Sequence, residues 1–191
     1  LSLLAESGAL ASMGYPRRHA LWAVLGSARG DTSDDERRLI DHHEKHPTLS
    51  PLSASERIRW DYKSHGHSVL GHPLAPMREA LDAQGIPHAR RIEGMRHGRR
   101  VRYAGLVICR QRPGTASGVT FMTLEDETGF VNVVIFKKLF QRYALLAKSA
   151  LFLGVSGRLQ VEKGVVHLIA EQLWEPKVSR SFVANRSRDF R

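Results

Sequence analysis

The sequence has one cysteine, Cys109, which excludes a disulfide scaffold and any cysteine-rich zinc site. It also lacks long apolar runs. No stretch approaches the roughly 18 consecutive apolar residues that a bilayer-spanning helix needs, so no membrane partner is expected. No basic-then-apolar leader with a small-residue cleavage site opens the chain, so a reducing, cytosolic setting is expected. It opens on Leu1 and not Met, as a processed chain or a fragment would. No Walker loop, no GxGxxG and no nucleophile elbow occurs, which removes the commonest phosphate-cradle and hydrolase readings. Acidic residues are the scarcer sign: 19 Asp+Glu stand against 29 Lys+Arg, a formal charge of +10 over 191 residues.

That charge is uneven. Residues 1–98 hold 13 Lys+Arg and 12 Asp+Glu, while residues 99–191 hold 16 and 7. Nearly all the excess lies in the second half, as a polyanion-binding surface there would require. With 42% hydrophobic residues the chain can build a core, and its length allows one domain with appendages.

Five segments follow from pattern. Residues 1–28 predict two short helices, with Leu3, Leu4, Leu10 and Met13 on one face, Gly8 and Gly14 as breakers, and Pro16 at a first helical position. Residues 29–55 are polar and carry Pro47 and Pro51, the composition of a flexible linker, with a short helix over 34–43 capped by Ser33. Residues 56–98 predict a helical connecting segment. Its first helix is capped by Ser55, and a second runs from Pro76 to Ala83 and stops at Gly85.

From residue 99 the period changes to two. Strands are expected over 99–112, 119–126, 130–136, 150–162 and 165–174, with a helix over 137–149 carrying Leu139, Phe140, Tyr143, Leu146 and Ala147 on one stripe. Val131, Val133 and Ile135 fall on one face of the third strand, and Phe130, Asn132, Val134 and Phe136 on the other. Gly154 and Gly157 inside the fourth mark bends or close backbone approach. Three strands, a helix and two strands is the order of an OB-fold, a five-stranded, partly open barrel. The fold class is therefore α+β, an N-terminal helical segment followed by an OB-fold at 99–174. Residues 175–191 make a basic tail, expected to be mobile.

OB-folds commonly hold single strands on strands two and three and in the loop after strand one. Phosphates call for Lys or Arg, and unstacked bases call for aromatic faces. The candidates are Arg100, Arg102, Arg110, Arg112, Lys137, Lys138, Arg158 and Lys163 as cations, Thr115 as a hydroxyl, and Phe121 and Phe130 as platforms. Singly, each arginine reads as a solvated charge and Phe121 as core; together they favour a single-stranded nucleic acid.

Other clusters read as structural. Glu125, Asp126 and Glu127 fit a turn with local bonds from Asp126 and Thr128 and a positive φ at Gly129, rather than a catalytic centre. His42 and His46 have a metal-ligand spacing on a helix, but HExxH is absent. His65, His67 and His72 flank Gly66 and Gly71 and read as turn residues. Gln141–Leu146 resembles a clamp-binding peptide weakly, on a helix whose apolar side the core needs. Cys109 is expected to be buried and inert.

The run Ala104–Phe136, and within it RQRPGTASGVTFMTLEDETG (Arg110–Gly129), resembles the C-terminal OB region of bacterial C-family DNA polymerases, and in particular their error-prone, translesion branch. RRHALW (Arg17–Trp22) is similar to the end of that family's helix-hairpin-helix region. Asp61–Arg78 is similar to its connecting segment, and SRDFR (Ser187–Arg191) to its C-terminal end. His67 departs from the pattern, which usually has an apolar residue there. The resemblance implies a DNA-directed DNA polymerase acting in damage-induced translesion synthesis, with two Mg²⁺ ions in the full-length enzyme. It implies single-stranded and primer-template DNA as partners. A sliding clamp and other translesion proteins would be met through the full-length protein. The family's palm aspartates have no counterpart in this chain, so no catalytic residue, metal ligand or cofactor is expected here. A free-standing OB-fold module for single-stranded nucleic acid is the alternative.

Overall fold

The computed structural model describes residues 1–27, 48–177 and the backbone of 188–190. The expected helix over 34–43 with its Ser33 cap, the histidines at 42, 43 and 46, and the tail from 178 to 187 lie outside the described residues. The chain divides into two compact units, Leu1–Leu70 and Gly71–Arg191. The connecting segment read as 56–98 is thus split between them.

The first unit holds helices α1 (Ser2–Ser7), α2 (Arg17–Ser27) and α3 (Ala54–His65), with a 3-10 turn over Ala9–Met13. Gly8 and Gly14 both adopt left-handed φ and end their helices, as glycine breakers should. The cap of α3 is Ser53 and not Ser55. The Ser53 hydroxyl accepts from the Glu56 N–H at 3.2 Å, and the Glu56 carboxylate accepts from the Ser53 N–H at 2.8 Å. This is a reciprocal capping box, and Ser53 is the serine standing three residues before the glutamate. The expected apolar face of 1–28 is not buried: Leu3, Leu4 and Met13 stay exposed, while Ala5 and Ala20 are covered.

The second unit begins with α4 (Arg78–Ala83) and α5 (Ala89–Glu93). Five strands follow: β1 (Arg100–Gln111), β2 (Thr120–Asp126), β3 (Gly129–Ile135), β4 (Phe152–Glu162) and β5 (Val165–Trp174). β1 pairs antiparallel with β4 through residues 100–106 and with β2 through 106–111. β3 pairs antiparallel with β2 and parallel with β5, and β5 pairs with β4. That circuit closes a five-stranded OB barrel. Met122, Leu124, Val131, Val133, Ile135, Leu153, Val155 and Leu168 fill it. At Gly157, where the β4–β5 register shifts, a Cβ would stand 2.0 Å from the Ile169 carbonyl oxygen. At Gly154 a Cβ would stand 2.3 Å from the Trp174 indole. Both are the close approaches that glycines inside a strand mark.

The expected single helix between β3 and β4 is two, α6 (Lys137–Arg142) and α7 (Ala144–Ser149), bent at Tyr143 with φ −114 and ψ 33. The bend lets Phe140 and Ala147 both reach the core. Three residues near the end of the basic tail are described. Residues Arg188–Phe190 form a short strand, β6, parallel to β1 at Cys109–Gln111. β1 runs beyond its pairing with β4, and that free edge is what a further strand can join.

Candidate nucleic-acid interface

The outward face of β2 and β3 is built by alternation. Phe121 lies opposite Val134, Thr123 opposite Asn132, and Glu125 opposite Phe130. Two phenylalanine rings, 39% and 54% exposed, therefore bracket a polar pair in which the Thr123 hydroxyl donates to Asn132 Oδ1 at 3.4 Å. β1 extends the face with Gln111 beside Phe121. An exposed ring on a sheet offers a flat apolar surface that any base can stack on.

Cations stand at both ends. At the Phe121 end, residues 112–119 connect β1 to β2. Arg112 lies over the Phe140 ring at 4.9 Å, and Thr115 is exposed. The Lys137 stem packs against Gly118, where a Cβ would come within 3.2 Å of it. Lys138 follows, exposed, in the first turn of α6. β5 runs parallel to β3 with His167 beside Asn132, so the β4–β5 turn projects at the Phe130 end. Its tip is Lys163–Gly164, both with positive φ, the two-residue turn that a hairpin favours.

Four candidate arginines lie elsewhere. Arg110, expected as a phosphate contact, is buried. Its Nε donates to the Ala147 carbonyl at 2.9 Å and its Nη2 to the Ala150 carbonyl. A cation at the end of α7 meets carbonyls that the helix leaves unsatisfied. That role replaces the nucleic-acid one. Arg100, Arg102 and Arg158 are exposed, but on the face made by β1 and β4, away from Phe121 and Phe130. Arg100 lies opposite Arg158, and Arg102 opposite Ser156.

The acidic run is an anchor. Asp126, buried, accepts from the Ala89 N–H at 2.7 Å and from the Thr128 N–H and hydroxyl at 2.8 and 2.7 Å. The expected turn bonds are present, and the same carboxylate also ties down the start of α5. Glu127 takes the Arg78 guanidinium at 2.5 and 3.2 Å, and Arg78 also donates to the Ile86 carbonyl at 3.2 Å. Burial and then the adjacent carboxylate of Asp126 raise the pKa of the Tyr103 phenol, which is sealed beneath them. Burial lowers His72 to about 4 against the pull of Glu127 and Asp126, and Glu125 is raised by burial and by Asp126. Carboxylates committed in this way do not fit a Mg²⁺ site. Among the described residues no group of three His, Cys, Asp or Glu is placed to hold a metal.

Of the remaining expectations, Cys109 is half-buried in β1. His65 and His67 are exposed beside the end of α3, whereas His72 is buried and accepts from the Leu74 N–H at 3.1 Å. Within Gln141–Leu146, Tyr143 and Leu146 pack against the core, so the stretch is not presented as an extended peptide. No described helix is long and apolar enough to cross a membrane. Asn132 shares the outward face of β3 with Phe130 in the sequence pattern, and Arg91 lies on α5, a helix that the pattern does not delimit.

Residues 91–176 match the model of the anticodon-binding family, described as an OB-fold nucleic acid binding domain. The chain is 41% identical to an error-prone DNA polymerase of Caulobacter vibrioides over 90% of its own length and 16% of that protein. It is 42% identical to one of Pseudomonas fluorescens over 99% of its length and 18% of that protein. It is 37% identical to one of Rhodopirellula baltica over 100% of its length and 17% of that protein. The chain thus spans about one sixth of the curated relatives it matches. It carries an OB-fold nucleic-acid-binding domain and, over nine-tenths or more of its length, is similar to a part of bacterial error-prone DNA polymerases.

Proposed function

We propose that this chain is the DNA-binding portion of an error-prone DNA polymerase and holds single-stranded template on the outer face of β2 and β3. The observation that carries the reading is the pair of exposed rings, Phe121 and Phe130, on one face with cationic loops at both ends. The similarity to proteins named error-prone DNA polymerases supports it. Bases stack on the rings while Arg112, Lys137 and Lys163 track phosphates, and the Asn132 amide meets base edges between the rings. Stacking makes little demand on base identity, since every base has a π-face. A platform of this kind tolerates altered bases, which suits a template read across damage. Nucleotidyl transfer, with its Mg²⁺ ions, is assigned to the remainder of such a polymerase, and contacts with a clamp or other bypass proteins to the whole enzyme. The chain alone binds and positions, and is inert as an enzyme.

Fluorescence anisotropy of the full chain with a labelled single strand of roughly 15 nucleotides tests this. Binding should weaken steeply with salt. Phe121→Ala with Phe130→Ala should cost about 1–3 kcal/mol per lost stack. No binding at low salt, or an unchanged affinity in the double variant, would overturn the reading.

A further inference from the structure

A cleft of about 820 Å³ opens where the α4–α5 segment crosses β1 and β4. Arg91, Arg99, Arg100 and Arg102 line it, against Asp82 and Glu171. We propose that this cleft is a second nucleic-acid site, one that takes the phosphodiester backbone of a duplex and reads no bases.

Three observations carry it. First, Arg100 and Arg158 face one another directly across β1 and β4. Like charges in that position repel. One carboxylate serves both: Glu171 takes the Arg158 Nε at 3.0 Å and the Arg100 Nε at 3.4 Å. Two cations on one anion leave positive charge over, at side chains 68% and 55% exposed. Second, the donors are oriented. The Arg102 guanidinium lies over the Trp174 ring at 4.6 Å, and the indole N–H is held by Ser156 Oγ at 3.0 Å. His88 Nδ1 accepts from the Arg91 N–H at 3.2 Å, which leaves the ring proton on Nε2 as a further donor at the cleft. Third, no Phe, Tyr or Trp is among the described residues that line the cleft, and its one imidazole, His88, is held by the bond from the Arg91 N–H; Ile86 and Val101 supply apolar lining. A site with guanidinium forks and no stacking platform recognises phosphates and not unstacked bases. Duplex DNA presents that ligand with its bases already stacked.

The cleft is separate from the stacking face. None of the residues that line it lies on β2 or β3, and on β1 it takes Arg100, Val101 and Arg102, whereas the face takes Gln111. Its occupancy therefore does not depend on the β2–β3 reading.

The test uses the full chain and a labelled duplex of roughly 20 base pairs, titrated across salt concentrations. Arg99→Gln with Arg100→Gln should lower affinity about tenfold and reduce the log–log salt slope by about 1.8, the loss of two phosphate contacts. Glu171→Gln should tighten duplex binding several-fold, because it removes the carboxylate that neutralises two arginines. Arg142→Gln with Lys148→Gln makes the same change in net charge on α6 and α7 and should have a much smaller effect. Phe121→Ala with Phe130→Ala should leave duplex binding intact, which separates failure of this site from failure of the stacking face. If the two double charge variants behave alike, the attraction is diffuse and the proposal falls. It falls equally if Glu171→Gln leaves duplex binding unchanged or weakens it.

Discussion

The two units of this chain are held together by different forces. The barrel unit buries a continuous set of large side chains, with Tyr103, Leu124, Leu153 and Leu168 at 0% exposure. In the first unit, Ala5, Ala20, Ile58 and Tyr62 are the buried apolar residues among those described, while Leu1, Leu3, Leu4, Met13 and Leu25 remain half-exposed or more. Charge joins the helices instead. Arg17 donates to the Ser7 carbonyl at 2.6 Å and to Asp61 at 2.7 Å, and Ser68 donates to the same carboxylate at 2.6 Å. Arg18 bridges the Ser50 carbonyl and Glu56 at 2.8 and 2.7 Å. Burial is non-directional and grows with area, whereas partly buried ion pairs such as these lose much of their Coulomb gain to desolvation. Helices too short to stand alone thus rest on a few polar contacts in one unit, and strands rest on a closed core in the other.

Core truncation should break that contrast most widely. Leu168→Ala removes a fully buried side chain from the barrel and should cost about 2–5 kcal/mol in denaturant unfolding. Leu4→Ala, at a side chain 50% exposed, should stay within about 0.5 kcal/mol. A large loss at Leu4 would show that the first unit has an apolar core after all.

Acid should separate the units by pH. His72 is held down to about 4, so the folded barrel stays unprotonated there while the unfolded chain takes up a proton near its ordinary value of 6.5. Its contribution is complete above pH 6.5 and is lost as pH falls from 6.5 to about 4, up to roughly 3 kcal/mol. Glu125, raised by burial and by Asp126, takes up its own proton early and offsets part of this loss at the lower end. His72→Asn should flatten the slope of barrel stability between pH 6.5 and 4. In the first unit, burial would raise Asp61, but the bonds from Ser68 and Arg17 outweigh it and hold the carboxyl below its ordinary range. That contribution is present above the ordinary carboxylate pKa and is lost only as pH falls below it, under about pH 4. Thermal melts across pH, followed by separate probes of the two units, check both windows.

The smallest effect sharpens the account of the helical unit. Ser53→Ala should cost about 1 kcal/mol of α3 stability, and Ser55→Ala should cost almost nothing. Helicity by circular dichroism distinguishes them, and equal effects would mean that the capping box at Ser53 does not hold in solution.

Much of the barrel could be read directly from residue order. The strand bounds from the two-residue period lie within a residue or two of β1 to β5, and the inward set Val131, Val133 and Ile135 is buried. The period carries that information because one side of each strand must face the core. Phe130 falls on the outward face of β3 by the same alternation, whereas Phe121, which singly reads as core, is exposed in the folded barrel. Arg110 reads as a phosphate contact but is buried, because a register shift between Val107 and Cys109 changes which side of β1 faces inward. An arginine then lies buried against α7, where alternation alone had it outside. The α3 cap was available and misassigned: only Ser53 stands three residues ahead of Glu56.

The sequence by itself determined the order of elements, the sign and location of the excess charge, and the outward place of Phe130 on β3. Each depends on local period or composition. Tertiary closure alone decided which arginines share a face. Arg100 and Arg158 are far apart in the chain and meet only because β1 and β4 pair. Arg110 and Arg112, two residues apart, end on opposite sides of solvent access. Charge sums along a chain, but a ligand meets it on a surface, and only strand pairing converts the first into the second.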